Sequence, residues 1–233
     1  MKVTPVKTKI FFEGEDLIKF ILDNIEPLKE GSILVVTSKI IALAEKRTAV
    51  VSDACTKEDL IQMESQWSLE TKHVWLTIKD NQVMPSAGID ESNANGKLIL
   101  LPKDSFKTAF KLRQELMNKF RLKRLGILVT DSRTIPLRAG VSGVALGYAG
   151  FKGIRDYRKT EDIFGRKFEY SRLDIADSLA SAAVLVMGEG AEQKPLAIIE
   201  DAPVEFTDKI NKKELRIDIE DDMYGPLFKK LSK

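Results

Sequence analysis

Two apolar runs, Ile33-Leu34-Val35-Val36 and Leu125-Gly126-Ile127-Leu128-Val129-Thr130, constrain this chain most, because no charge interrupts either one. Short, continuous and rich in branched residues, such runs read as strands covered on both faces. Helical spacing surrounds them. Leu17, Ile18, Ile21, Leu22 and Ile25 recur at helical intervals between Glu15 and Ile25. Lys39 to Lys46 reads as a short helix, followed by a strand at Thr48 to Val51. Thr56 is placed to cap the helix that begins Lys57-Glu58-Asp59. His73 to Met84 reads as a strand or hairpin, and Lys97 to Leu101 as a strand; Pro102 and Asp104 then open a long helix to about Lys123. Leu173-Asp174 begins a last helix running to Met187, where Gly188 holds the position of a C-terminal cap. Helices and strands mix without a clean βαβ alternation, so the expected class is α+β, with mixed sheets, rather than a doubly wound sheet.

With 233 residues the chain can bury a sizeable core. The expected division is one domain over residues 1–205, with room for two subdomains, and a charged C-terminal extension over 206–233. Its 37 basic and 35 acidic residues leave a net charge of +2, so no overall field points to nucleic acid. Cys55 is the only cysteine, which excludes an internal disulfide and fits a reducing compartment. The N-terminal residues lack an apolar signal core and no segment approaches membrane-spanning length, so a cytoplasmic protein without a membrane partner is expected. A single histidine, His73, reads as a packing or surface residue. Zinc or iron sites made of histidine and cysteine cannot be built from this inventory, and a catalytic metal would have to be magnesium or manganese held by oxygen.

Neither a P-loop nor a dinucleotide-binding glycine fingerprint is present. The glycines at 140, 143, 147, 150 and 153 follow neither pattern. Close backbone packing in a twisted strand region explains them, although a backbone lining a substrate cleft would also use them. Three acidic turns carry more. Asp90 lies in Ala87-Gly88-Ile89-Asp90-Glu91-Ser92-Asn93, a turn between two expected strands. Asp131 follows an apolar run and should sit at that strand's carboxyl end, a usual ligand edge in open sheets. Glu189 follows the helix-ending glycine in Met187-Gly188-Glu189-Gly190. Taken singly, each is equally an Asx turn, a cap or a solvated loop residue.

In this order the three turns closely resemble the gamma-glutamyl ligases that add glutamate to the deazaflavin coenzyme F420, and the resemblance runs from about Thr4 to about Ile199. It implies that Asp90, Asp131, Ser132 and Glu189 hold two divalent cations, magnesium or manganese, with Asp90 and Asp131 central to catalysis. It places Ser38, Lys39, Asn93, Met187, Gly188 and Gly190 against ATP or GTP, with Thr8 to Phe11 bordering the nucleotide. The front motif departs from the family at Leu43, where lysine is frequent, and at Lys46, where glycine is usual. Arg133, Arg138, Arg155 and Arg166 are the candidates for gripping substrate carboxylates through bidentate contacts. Three acids together would repel strongly in the absence of metal, so their order is expected to depend on it.

The implied reaction needs no organic prosthetic group and no nucleophilic side chain. The acceptor carboxylate attacks the nucleotide's gamma-phosphate, and the amine of L-glutamate then displaces phosphate from the acyl phosphate. The loop Asp131-Ser132-Arg133-Thr134-Ile135-Pro136-Leu137-Arg138-Ala139-Gly140 departs from the pattern Asp-Thr/Ser-Phe/Asn-Gly-Arg-x-x-Arg of the deazaflavin enzymes. It is similar to a branch proposed to glutamylate folates, which makes a (tetrahydro)folate the expected acceptor and the deazaflavin the alternative. A non-catalytic nucleotide- or metal-binding homologue is the second alternative. The resemblance further implies an intertwined homodimer.

Overall fold

The two apolar runs lie side by side at the centre of one sheet. In the computed structural model, which describes every residue except Asp53, Ile210, Ser232 and Lys233, and 229–231 by backbone alone, the elements in chain order are β1 (Lys2–Val6), α1 (Leu17–Asn24), β2 (Ser32–Thr37), α2 (Ser38–Ala44), β3 (Thr48–Ala49), α3 (Lys57–Glu64), β4 (Trp67–Glu70), β5 (Trp75–Lys79), β6 (Gln82–Pro85), β7 (Leu98–Ile99), α4 (Ser105–Phe120), β8 (Leu125–Thr134), β9 (Val141–Ala149), β10 (Ile154–Asp156), β11 (Arg172–Asp174), α5 (Ile175–Met187), β12 (Leu196–Glu200) and α6 (Gly225–Leu231). The main sheet runs β1-β12-β2-β8-β9. Only β2 and β8 pair in parallel, from Ser32 opposite Leu125 to Thr37 opposite Thr130.

Alternation along these strands divides the interior. Leu34 and Val36 of β2, with Ile127 and Val129 of β8, face Phe20 and Ile21 of α1, Ile41 of α2 and Leu112 and Leu116 of α4. Ile33, Val35 and Leu128 face the small-residue side of α5, at Ala176, Leu179, Ala180 and Ala183. Helices therefore cover both faces, which explains why the two runs contain no polar residue before Thr130 other than at their edges. The helix starts are set by side chains. Asp16 accepts from the Lys19 amide at 2.9 Å, and Asp104 from the Lys107 amide at 2.9 Å. Thr56 and Asp59 form a reciprocal capping box on α3.

A second, smaller unit is the meander β4-β5-β6 with α3 and the short pair β3-β7. Its core gathers Ile61, Ala87, Ile89, Leu98 and Leu100. The hairpin between β5 and β6 turns on Asp80 and Asn81, both left-handed (φ 51° and 63°), the geometry of a tight primed turn. Residues after 205 pack onto the main unit: Phe206 bridges Phe151, Asp208 pairs with the buried Arg113 at 2.7 Å, and Glu214 accepts from the Tyr148 hydroxyl at 2.7 Å.

The class is α+β as expected, but several boundaries differ, among them that of the strand expected over Lys97 to Leu101, which keeps only Leu98 and Ile99. The strand expected over Thr48 to Val51 keeps only Thr48 and Ala49. Helix α4 stops at Phe120 because Arg121 turns left-handed (φ 55°). Most consequentially, β8 does not end at Thr130. It continues through Asp131 to Thr134, paired with β9 across a register shift between Val129 and Thr130. Asp131 thus lies inside a strand, just past the point where β2 ends beside it.

Candidate functional site

A cleft of about 560 Å³ opens where β2 leaves the sheet, β8 runs on beyond it, and α5 ends. Five segments supply its walls, one of them the stretch Thr8 to Phe12 after β1. The start of α2 brings Ser38 and Lys39; the turn of the small unit brings Asp90, Ser92 and Asn93. β8 brings Asp131 and Ser132, and the loop after α5 brings Met187, Gly188, Glu189 and Gly190. Ten of the residues singled out from sequence therefore converge, and they sit at the carboxyl ends of the two parallel strands, where side chains and helix ends meet.

Local structure explains each placement. Gly88 has φ +71° and sits so close to Leu101 that a Cβ would approach its side chain to 2.7 Å, so only glycine brings the chain round to Asp90. Asp90 is fixed to Ile99 by reciprocal backbone bonds of 2.9 and 2.8 Å, and its carboxylate accepts from the Ser92 amide at 2.7 Å. Asn93, left-handed at φ 53°, donates to the Gly190 carbonyl at 3.3 Å and so joins the two loops. Glu192 folds back over the Gly188 loop and accepts from the Gly190 amide at 2.8 Å.

The charges are arranged in pairs rather than as a bare acidic cluster. Lys39 Nζ lies 2.7 Å from Asp90 Oδ2 and also donates to the Ser92 carbonyl at 2.8 Å. Burial favours the neutral form of Asp90, but the Lys39 ammonium and the Ser92 donors outweigh it and hold the carboxyl below its ordinary value. Asp131 is held by Arg133, whose guanidinium also donates to the Ser132 carbonyl at 2.8 Å. Glu189 is pushed up, first by burial; the Ser132 hydroxyl opposes this, while the charges of Asp131 and Asp90 add to it. The mutual repulsion expected of the three acids is thus answered at Asp90 and Asp131 by two cations of the chain itself, and persists at Glu189.

The donors fit a hard divalent cation by kind: three carboxylates and the Ser132 hydroxyl around one cleft, all oxygen. Their arrangement is not closed. Among the described residues no three acidic, histidine or cysteine side chains converge closely enough to hold a metal ion. A cation entering here would have to draw Asp90 from Lys39 and Asp131 from Arg133.

None of the four arginines expected at the substrate lines this cleft. Arg133 is buried, with its fork turned inward on Asp131 and toward the Met84 sulfur, and its Nε has no hydrogen-bond partner. Arg138 is exposed on the turn between β8 and β9. Arg155 lines a separate groove, and Arg166 stands on the exposed excursion between β10 and β11. The glycines at 143, 147 and 153 serve packing. A Cβ on Gly143 would meet the Ala180 carbonyl at 2.3 Å, and none of the three lines the cleft. Sequence reasoning missed Thr37, Asn95, Glu192 and Gln193, which also line it. The only signal for them is position, one or a few residues from a motif already singled out.

The profile of the F420-0:gamma-glutamyl ligase family matches residues 5–201. The chain is 28% identical to a coenzyme F420:L-glutamate ligase of Methanococcus maripaludis, over 95% of this chain and 96% of that protein. It is 29% identical to the protein of the same description from Methanocaldococcus jannaschii, over 88% and 90% of the two chains. With that of Methanosarcina mazei the identity is 31%, over 83% and 82%.

Proposed function

The chain belongs to the F420-0:gamma-glutamyl ligase family, and from that membership we propose that it joins L-glutamate to the carboxylate of the deazaflavin F420-0 at the expense of a nucleoside triphosphate. As a ligase of this family it forms an amide bond to glutamate. The observation that carries the finer reading is the convergence of five distant segments on one cleft, in a chain whose relatives of similar length are described as coenzyme F420:L-glutamate ligases.

In this reading Lys39 leaves Asp90 to meet a phosphate as a point charge, and Asn93 offers its amide to a phosphate oxygen. The loop Gly188-Glu189-Gly190 brings backbone close to the nucleotide. Asp90, Asp131, Ser132 and Glu189 would hold two divalent cations, magnesium or manganese, which when bound neutralise the triphosphate. The acceptor carboxylate oxygen bonds to the gamma-phosphorus as the bridge to the nucleoside diphosphate breaks. The glutamate nitrogen then attacks the acyl carbon, phosphate leaves with the carbon–oxygen electron pair, and the amine gives up a proton. The chain's part is to align the three reactants, because none of these steps requires a covalent bond to a side chain. We further propose that the protein works as a cytoplasmic homodimer.

The case for a folate acceptor rested on the loop from Arg133 to Gly140. Arg133 faces Asp131 and the interior rather than the cleft, so its substitution changes the support of Asp131 more directly than the wall seen by an acceptor. The relatives' descriptions favour the deazaflavin. Purified protein with glutamate, GTP or ATP and manganese is expected to release phosphate when F420-0 is added, and much less with tetrahydrofolate. Turnover with the folate alone would reverse the acceptor. Nucleotide binding without turnover on either would leave the non-catalytic homologue, which Leu43 in the cleft wall would then explain.

A further inference from the structure

Besides the cleft, a second groove of about 570 Å³ runs between the hairpin β10-β11 and the C-terminal segment around residues 204–216. It begins at Ile175, the first residue of α5, whereas the cleft begins at Val184, in the helix's last turns. The two openings lie about 14 Å apart along the helix and share no lining residue, so they are separate sites.

Six cationic side chains line this groove, Lys152, Arg155, Arg158, Arg172, Lys213 and Arg216, against three carboxylates, Asp156, Glu205 and Glu214. That excess is larger than the net +2 of the entire chain. Two of the cations are matched locally, Lys152 by Glu205 at 2.6 Å and Arg158 by Asp156 at 2.5 Å, and Arg155 donates to the Pro203 carbonyl. Glu214 points elsewhere, accepting from the Tyr148 hydroxyl and the Gly153 amide at 2.7 Å each. Among the described residues no carboxylate pairs with Arg172, Lys213 or Arg216, and Arg172 feels Asp156 only through its longer-range field. Like charges held along one groove repel one another unless an anion lies between them.

The walls are anchored. The two bonds to Glu214 pin the segment bearing Lys213 and Arg216 to the main unit, and β10 pairs with β11 from Ile154 opposite Asp174 to Asp156 opposite Arg172. The kind of anion follows from what is missing as well as what is present. A compact phosphate favours donors converging on one point, with backbone amides among them. Here the Ile175 and Ala176 amides at the start of α5 are already taken by the Gly153 carbonyl, at 2.7 and 3.1 Å. The free cations are instead spread over both walls, Arg172 on β11 and Lys213 and Arg216 on the C-terminal segment, and two of the three are arginines whose forks suit carboxylates.

We propose that this groove binds a chain bearing several spaced carboxylates, such as the oligo-gamma-glutamyl tail of the ligase's own product. The identity of that tail rests on the reading of the cleft as a gamma-glutamyl ligase site; the preference for a polycarboxylate rests on the groove.

The test is calorimetric binding of synthetic tri-gamma-glutamate to the intact protein, alone and with saturating GTP. Binding is expected to be at least roughly tenfold tighter than that of single L-glutamate, to weaken steeply with salt, and to persist with GTP present. The exposed double variant Arg172→Ala/Arg216→Ala should lose it by at least about tenfold, and Arg172→Lys/Arg216→Lys should fall between, because charge remains while the forks are gone. Absence of binding, indifference to these variants, or displacement by GTP would overturn the proposal. So would tripolyphosphate binding more tightly than tri-gamma-glutamate at the same arginines. Groove binding with no ligation of F420-0 would refute the proposed function and leave the groove standing; ligation without groove binding would do the reverse.

Discussion

Arg133 carries the largest single-residue consequence outside the cleft wall. It is 6% exposed, its Nε lacks a partner, and its charge is answered by Asp131. An isolated guanidinium at that depth is costly, so Asp131 has a structural duty beside its proposed catalytic one. Asp131→Asn is therefore expected to abolish phosphate release and also to destabilise the fold by about 2–4 kcal/mol. Adding Arg133→Met should recover most of that stability in urea melts without recovering activity. If the single variant is as stable as the parent, the pair contributes little. A second residue-scale pair lies at the start of α5. Asp174 caps the helix through the Asp177 amide at 2.9 Å, and burial, with Asp177 beside it, pushes its carboxyl up to about 6 from 3.8. Burial raises Asp177 as well, against the Ala145 amide and the Arg133 charge. A raised acid means that the folded state holds the proton more tightly than the unfolded one. This pair's contribution to stability is therefore full at low pH and is lost as pH rises through about 4 to 6. Asp174→Asn keeps an oxygen for the cap. It should stabilise the protein relative to the parent above that window, with the advantage vanishing toward its lower end. Equal differences in melting temperature at both ends would contradict this.

At the scale of elements, the contact of α5 with β9 fixes how closely helix and sheet approach. Gly143 faces the Ala180 carbonyl so directly that a methyl group there would need backbone movement, not a side-chain adjustment. Gly143→Ala is thus expected to cost about 1–3 kcal/mol or more by urea unfolding, although a glycine-to-alanine change in an open strand would be neutral or favourable. The same contact shows where sequence reading stops. The runs at Ile33 and Leu125, the helix starts at Thr56 and Asp104, and the glycine stop at Gly188 were legible because each depends on neighbours within a few residues. The extension of β8 from Asp131 to Thr134 was not, because those polar residues become strand only through pairing with β9. β12 is an apolar run too, Leu196-Ala197-Ile198-Ile199, but its place between β1 and β2 is set by partners at residues 2–6 and 33–36. The site divides likewise. Its three acids were visible as motifs, whereas the positions of Arg155 and Arg166 depend on a hairpin and a C-terminal segment that no local pattern relates to the cleft.

For the whole molecule, the excursion between β10 and β11 is the feature least suited to a lone chain in water. It is an internally paired arm, with the Tyr157 amide bonded to the Ser171 carbonyl at 3.1 Å and the Phe168 amide to the Thr160 carbonyl at 2.9 Å. Backbone order at its outer turn is equally firm, since Asp162 accepts from the Phe164 and Arg166 amides at 2.8 and 2.9 Å. Yet its large apolar side chains touch almost nothing: Ile163, Phe164 and Tyr170 are 92, 89 and 85% exposed. Leu137, on the turn between β8 and β9, and Leu185, on the outer side of α5, are likewise left open. An ordered arm that presents several large apolar groups at its tip matches an interface better than a solvated loop. A second copy of the chain is the partner we expect, because each copy would then lend its arm to the other, and an obligate pair of this kind buries on the order of 2,000 Å² or more. Sedimentation velocity should show a dimer at micromolar concentration. Ile163→Asp/Phe164→Asp places two charges in that contact without disturbing any core residue, and it is expected to yield a folded monomer with unchanged far-ultraviolet dichroism. A parent protein that sediments as a monomer across that range would refute the dimer. A charged double variant that remains dimeric would remove the arm from the interface.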